Sequence, residues 1–214
     1  MYMKKLMPML IALMGLVACE KEADLDKLDN EYMVVTNYDT KTDFSSFSTY
    51  YMPDSILLIT NQANATYWTA DSSAVAAKIL DTFRSNMDDI CTETSDKSAA
   101  ELGLQISYVA STYYFTSWAG SPWWNSYPGY WSYGYWGGWG GWYYPYPITF
   151  SYSTGSILAE LVDLTATTQS SSSKLQVVWS ADISGLLNRN NALDLAQTLS
   201  GINQAFTQSA YLKK

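Results

Sequence analysis

The side chains best placed to do chemistry in this sequence are carboxylates, and they lack the partners that most hydrolases give them. Asp39 with Asp43, and Asp163 with Asp182, are spaced so that either pair could work as acid and base on a glycosidic bond. In such sites one carboxyl protonates the leaving oxygen while the other acts as base or nucleophile. A chain with 20 acidic residues offers many such pairs by chance, so their ordinary role is to cap turns or face solvent. The chain has no histidine, so the usual neutral-pH base and the commonest zinc ligand are both missing. It also has no GxSxG elbow, phosphate-binding loop, dinucleotide fingerprint or paired-cysteine metal motif. Asp88, Asp89, Glu93 and Asp96 form an acidic group without the ligand spacing or central glycine of an EF-hand loop. Cys91 has acidic neighbours that disfavour a thiolate, and it reads as a small buried hydrophobe at a helix end. No catalytic residue, cofactor or metal site is expected from these patterns.

Cys19 is different, because its chemistry is set by what precedes it. Lys4 and Lys5 lead into an apolar run too short to cross a bilayer as a stable helix, and Leu16, Val17 and Ala18 stand directly before Cys19. These four residues resemble a bacterial lipobox, which implies diacylglyceryl transfer to the Cys19 thiol and cleavage in front of it. Residues 1–18 are then a lipoprotein signal peptide, and the remaining 196 residues carry a net charge of −10. One acyl chain holds a protein only marginally, whereas several make a stable anchor without a membrane-spanning helix. Residues 19–31, acidic and polar, read as a tether between lipid and folded domain. Acids so close to the anchor resemble the export signals of surface lipoproteins in Bacteroidetes-type bacteria. The expected location is the bacterial outer membrane, with periplasmic and surface-exposed orientations both open.

Charge narrows the partners further. Twenty acidic against twelve basic side chains in 214 residues give −8 overall, a field that repels phosphate backbones, so no nucleic-acid partner is expected.

The elements that must position any site follow from hydrophobic periodicity. Tyr32 to Tyr38 and Phe47 to Met52 have strand composition, and Pro53 should end the second; Asp54 to Tyr67 is ambiguous between strand and connector. From Asp71 onward Val75, Ala76, Ile79, Leu80, Phe83, Met87 and Ile90 recur at three and four residues, which predicts an amphipathic helix capped by Thr69 or Asp71. Lys78, Asp81, Arg84 and Asp88 fall on its solvated side. Glu101 to Phe115 alternates as a long strand, Ile148 to Leu164 and Leu175 to Ile183 form a strand pair, and the link TATTQSSSSK joins them as a hairpin-like connection. A second helix from about Asn191 should bury Leu195, Ala196, Leu199, Ile202 and Phe206, with Asn190 or Asn191 as its cap. Two helices cannot cover both faces of a large parallel sheet. The expected fold is therefore α+β, one largely antiparallel sheet with both amphipathic helices on one face, spanning residues 32–210 as a single domain.

Into this domain is set a stretch of unusual chemistry. The 58 residues between Glu101 and Glu160 contain no charged side chain, and residues 113–147 pack 17 aromatics, seven glycines and four prolines into 35 positions. That density of Gly and Pro excludes a regular helix or central strand and predicts a long Trp/Tyr/Gly-rich loop. Trp118, Trp123, Trp124, Trp131, Trp136, Trp139 and Trp142 offer wide amphipathic surfaces at low rotamer cost, and they are the candidate binding surface. Such a loop suits an envelope protein partner, a glycan or the membrane interface, and it suits equally a lid folded back on the sheet.

The motifs also resemble one family. YDTKTDFSSFSTYYMPDS, with Tyr38, Asp39, Asp43, Phe44, Phe47, Thr49 and Tyr50, is similar to the opening pattern of the DUF4136 family of bacterial lipoproteins, a domain of unknown function. GSILAELVD from Gly155 to Asp163 and LQVVWSADISG from Leu175 to Gly185 resemble its later strands, and the likeness runs from about Tyr32 to Phe206. Ser180 and Ala181 follow Trp179 where the family commonly has a basic residue and glycine, and the aromatic stretch is longer than the family needs. The resemblance implies an α+β envelope lipoprotein with no established catalytic residues. It also implies that Tyr38, Asp39, Phe44, Tyr50, Gly155, Asp163 and Trp179 hold turns and strand packing. The expectation is a non-enzymatic interaction or structural module, anchored through Cys19. The alternative is a glycan-binding or glycan-processing hydrolase using paired carboxylates.

Overall fold

A computed structural model describes residues 32–60, 66–110, 142–146, 154–165 and 174–213. The signal peptide, Cys19, the tether, the middle of the hairpin link and Trp118, Trp123, Trp124, Trp131, Trp136 and Trp139 lie outside the described residues, as do 111–115 and 148–153 at the ends of two expected strands. The described elements run β1 (Met33–Tyr38), β2 (Thr49–Tyr51), β3 (Ser55–Ile59), β4 (Thr66–Thr69), α1 (Ala74–Met87), β5 (Thr92–Glu93), β6 (Leu102–Val109), β7 (Trp142–Tyr143), β8 (Ser156–Asp163), β9 (Leu175–Ser184) and α2 (Leu195–Gln208). The α+β expectation holds.

The centre of the sheet is antiparallel in the order β1, β9, β8, β6. The outer edge of β6 is parallel, a departure from simple antiparallel pairing. Tyr50 and Tyr51 of β2 pair with Leu102 and Gly103, while Leu57 to Ile59 of β3 pair with Ser107 to Val109. The chain leaves β3 through β4 and α1 before it returns to β6, and a crossover of that length brings strands back parallel. Pro53, which has no backbone N–H for a ladder, stands at the break between β2 and β3. The ambiguous Asp54–Tyr67 stretch thus resolves into β3 and part of β4, which pair antiparallel.

Both helices lie on one face, as expected. α1 buries Ala76, Ile79, Leu80, Phe83 and Met87, and α2 buries Thr198, Gly201, Ile202, Ala205 and Phe206. Phe83 meets Phe206 edge-on at 6.1 Å between ring centres, and Asn86 donates to Asn203 at 2.8 Å. Beneath them the sheet contributes Leu102, Leu104 and Ile106 from β6, Ile157, Ala159 and Leu161 from β8, and Trp179, Ala181 and Ile183 from β9. Each fully buried Leu, Ile or Phe stabilises the fold by about 1.5–3 kcal/mol, so this face dominates the energetics. It also fixes register, because a one-residue slip would turn every apolar strand residue away from the helices.

Details of the helices differ from expectation. The cap of α1 is Ser73, whose hydroxyl accepts from Ala76 N–H, while Thr69 and Ser72 close the preceding turn. The cap of α2 is Asp194, which accepts from Gln197 N–H, four residues later than Asn190. Asn191 instead takes a positive φ of 55° in the turn before it. Ala196 is exposed, and α2 is rolled so that Gly201 faces the sheet. A Cβ at Gly201 would stand 2.5 Å from Ile183, so glycine is what lets the helix approach β9. Arg84 is not on a purely solvated side either. It is half-buried and pairs with Asp54 and with Glu93 at 3.2 Å, tying α1 to the sheet edge.

Candidate functional site

The other face of the sheet is buried as well, and there apolar residues such as Leu158, Val109 and Val162 alternate with polar ones. Strand alternation places Asn37 on β1, Ser180, Asp182 and Ser184 on β9, Ser156 and Glu160 on β8, and Gln105 and Ser107 on β6 on the side away from the helices. Glu160 is fully buried and Asp182 is 2% exposed. In register, Glu160 stands directly opposite Ser180 on one side and Gln105 on the other, and Asp182 stands opposite Leu158, two residues before Glu160. Glu160 and Asp182 are thus diagonal neighbours on adjacent strands, a geometry with Cβ atoms about 7 Å apart.

The last residues of the aromatic stretch close over this face. β7 pairs parallel with the start of β9, Trp142 with Leu175 and Tyr143 with Gln176, so it prolongs the sheet edge that β1 leaves. Tyr143 donates to Gln176 at 2.8 Å, Tyr144 donates to Glu160, and Tyr146 lies 3.3 Å from Ser180 Oγ. The rings of Tyr144 and Tyr146 meet edge-on at 5.7 Å. Of the candidate tryptophans only Trp142 falls among the described residues, in β7. That a strand begins inside so Gly- and Pro-rich a stretch was not expected, and WYYPYP carries the signal in its run of aromatics before Pro145.

The polar face is not fully satisfied. Neither carboxylate oxygen of Asp182 has a hydrogen-bond partner, nor do Ser107 Oγ and Asn37 Nδ2. Burial pushes the Asp182 carboxyl from its usual 3.8 up to about 7, because the charged form loses its water. Burial also pushes the Tyr146 phenol up, with the nearby Glu160 charge adding to it.

Three of the four aspartates in the carboxylate pairs weighed from the sequence are engaged locally, in the turn-capping role that is ordinary for them. Asp39 accepts from Lys41 N–H, Thr42 Oγ1 and Gln176 Nε2, while Asp43 accepts from Ser45 N–H and Ser45 Oγ, so each is committed to its own turn. Asp163 caps Thr165 at the far end of β8, five positions beyond the residue opposite Asp182 and on the opposite face of the sheet. Alternation puts two residues of one strand on one face only at even separation, and the bulge between Leu161 and Val162 does not change that for Glu160 and Asp182. The acidic group near α1 is dispersed as well: Glu93 pairs with Arg84, Asp89 with Lys213 at 2.8 Å, and Asp96 caps Ser98. Among the described residues no three Asp, Glu, Cys or His side chains come together. Cys91 is buried beside the end of α1, 3.6 Å from Phe47 O.

Comparison with known proteins places this arrangement. The family model described as "Domain of unknown function (DUF4136)" matches residues 34–209. The chain belongs to the DUF4136 family. The crystal structure of a DUF4136 family protein from Bacteroides thetaiotaomicron is 43% identical, covers 85% of this chain and 97% of that one, and superposes with a TM-score of 0.76. PelC dodecamers from Paraburkholderia phytofirmans share 11% identity over 86% of this chain and 98% of theirs at a TM-score of 0.36, too distant to bear on the site. No curated protein matches.

The residues that carry the DUF4136 pattern do structural work. Tyr38 stacks on Tyr211 at 3.8 Å, and Phe44 tilts against both. Tyr50 is fully buried between β5 and β6. Gly155 adopts φ +85°, and a Cβ there would fall 2.3 Å from Leu187, so no other residue fits the entry to β8. Trp179 is fully buried, donates to Ser209 at 2.9 Å and packs on Phe206 at 5.3 Å. Each of these residues packs or bonds within the fold, which is what a framework role requires.

Proposed function

We propose that this DUF4136 protein is a non-enzymatic lipoprotein of the cell envelope, anchored in the outer membrane through lipid on Cys19, whose aromatic insertion meets an envelope protein or glycan. The observation that carries the reading is the way the insertion ends: Tyr143, Tyr144 and Tyr146 are each bonded to a different strand residue, Gln176, Glu160 and Ser180. A segment fixed this firmly at its base presents whatever it binds in a defined position relative to the domain, at lower ordering cost on association. The charge-free sequence of residues 113–147, with its tryptophans, supplies the contact chemistry, since large aromatic anchors dominate binding energies. Among the described residues no helix is long and apolar enough to cross a membrane; the lipobox-like residues before Cys19 are what support the lipid anchor.

The hydrolase reading has less support. Asp39 and Asp43 are engaged in their own turns, Asp163 and Asp182 lie on opposite faces of the sheet, and the two carboxyls that share a face, Glu160 and Asp182, are shut off from solvent.

Two changes in the full chain test the proposal. Cys19→Ala should abolish incorporation of a labelled fatty acid and release the protein from the membrane fraction. Replacing residues 123–139 by a short Gly-Ser linker spares β7, so the domain should keep its circular dichroism and cooperative melt while partner recovery by in-cell crosslinking is lost. Retained lipid labelling in the first variant, or undiminished recovery in the second, would overturn it.

A further inference from the structure

The polar face holds an anomaly that the interaction reading leaves unexplained. Two carboxyl groups, Glu160 and Asp182, lie side by side on adjacent strands, and the register rows of this face carry no Lys or Arg among the described residues. Asp182 is 2% exposed, with both oxygens unpartnered. A bare buried carboxylate costs several kcal/mol unless a positive charge or donors meet it. Among the described residues, oxygen groups stand beside the pair, Ser180 Oγ directly opposite Glu160, the Tyr144 hydroxyl on Glu160 and the Tyr146 hydroxyl beside Ser180, while the amides of Gln105 and Asn37 share the face and Leu158 and Val35 flank Asp182.

We propose that Glu160 and Asp182, together with Ser180, Tyr144 and Tyr146, form a site for a hard divalent cation, Ca²⁺ or Mg²⁺, on the sheet face away from the helices. The oxygen groups of this set suit hard ions, and the set itself contains no Cys or His for a softer metal. The reach is right. A Ca²⁺–oxygen bond is about 2.4 Å, so one ion between two diagonal strand neighbours is within range of an Asp and a Glu side chain at once. Two carboxylates balance the double charge. Such a cation would close Tyr144 and Tyr146 onto the sheet and so brace the base of the aromatic insertion. This part of the inference rests on the proposed function, but the site itself does not. With only two carboxylates the affinity belongs to the range of extracellular modules, about 10⁻⁴–10⁻³ M.

The test refolds the purified full chain from denaturant containing a chelator, then melts it with and without 10 mM CaCl₂ or MgCl₂. Occupancy of the folded state should raise Tm by about 5 °C for at least one of the two ions. The shift should vanish in Asp182→Asn and in Glu160→Gln and persist in Asp71→Asn, an exposed surface control. Tb³⁺ gives a second readout, since an ion beside Tyr144 and Tyr146 should show emission sensitised through the rings, lost in the same two variants. No Tm shift in the parent chain with either ion, or an equal shift in Asp182→Asn and Glu160→Gln, would overturn the site and leave a protonated Asp182 as the resident state. Because fatty-acid labelling and crosslinking do not enter, failure here is distinguishable from failure of the interaction reading.

Discussion

At the scale of single residues, Asp182 couples the buried face to pH. In the metal-free chain its carboxyl, near 3.8 when exposed, is pushed up to about 7 by burial in the fold. Between those values the folded protein holds a proton that the unfolded chain has released. Stability is therefore highest near pH 4, falls as pH rises toward 7, and levels off above. Three pH units of this kind correspond to about 4 kcal/mol at most. Urea denaturation of the chelated protein at pH 4.5 and 7.5 should show that loss, and Asp182→Asn should flatten it and be the more stable of the two at pH 7.5. Parallel pH profiles for the two chains would remove Asp182 as the cause. The sequence carried half of this information: the alternation in ILAELVD and in WSADIS puts Glu160 on one side of its strand and Asp182 on one side of its own. That the two sides coincide depends on strand register, which residue spacing does not encode. Asp39, Asp43 and Asp163 accept from residues two or three positions on, the turn-capping role that the sequence favoured for them over an acid–base pair.

At the scale of elements, the long amphipathic pieces were legible and their exact ends were not. The stripe from Ala76 to Met87 is the buried side of α1, and LQVVWSADIS is a strand within a residue of its expected end. The caps shifted because Ser73 and Asp194 compete with several nearby Ser, Thr, Asn and Asp side chains, and only the packed helix decides which one stands at its first turn. The roll of α2 was hidden for a different reason: a helix normally turns its large residues inward, whereas here the distance to β9 is set by Gly201 under Ile183. Gly201→Val should force α2 off the sheet and cost about 1–3 kcal/mol, read as a lower urea midpoint with an unchanged slope. A neutral result would mean that the helix can slide without loss. The two-residue strands β5 and β7 are below what periodicity can detect, since two residues show no alternation.

At the scale of the whole molecule, the two faces of one sheet have been given different tasks. The helix-covered face is apolar and stabilises the fold. The opposite face is buried too, mixes apolar with polar side chains, and at Glu160 and Ser180 is bonded to the last residues of an uncharged aromatic insertion. Membership of the DUF4136 family and likeness to a solved member over 85% of the chain apply to the domain as a whole. The proposed function concerns what is built on the second. A lipid at Cys19, an acidic tether and a domain that fixes the base of the insertion would together hold a row of tryptophans at a set position near a membrane, where an envelope partner can be met in two dimensions.

The most direct measurement places a photo-crosslinking amino acid in the full-length chain in cells, at Trp131 or Trp136 in turn and, as a control, at the exposed Tyr67 of β4. The account expects one discrete crosslinked species from the insertion positions, absent from the Tyr67 control and lost when Cys19→Ala removes the anchor. Equal crosslinking from all three positions, or none from the insertion, would contradict it.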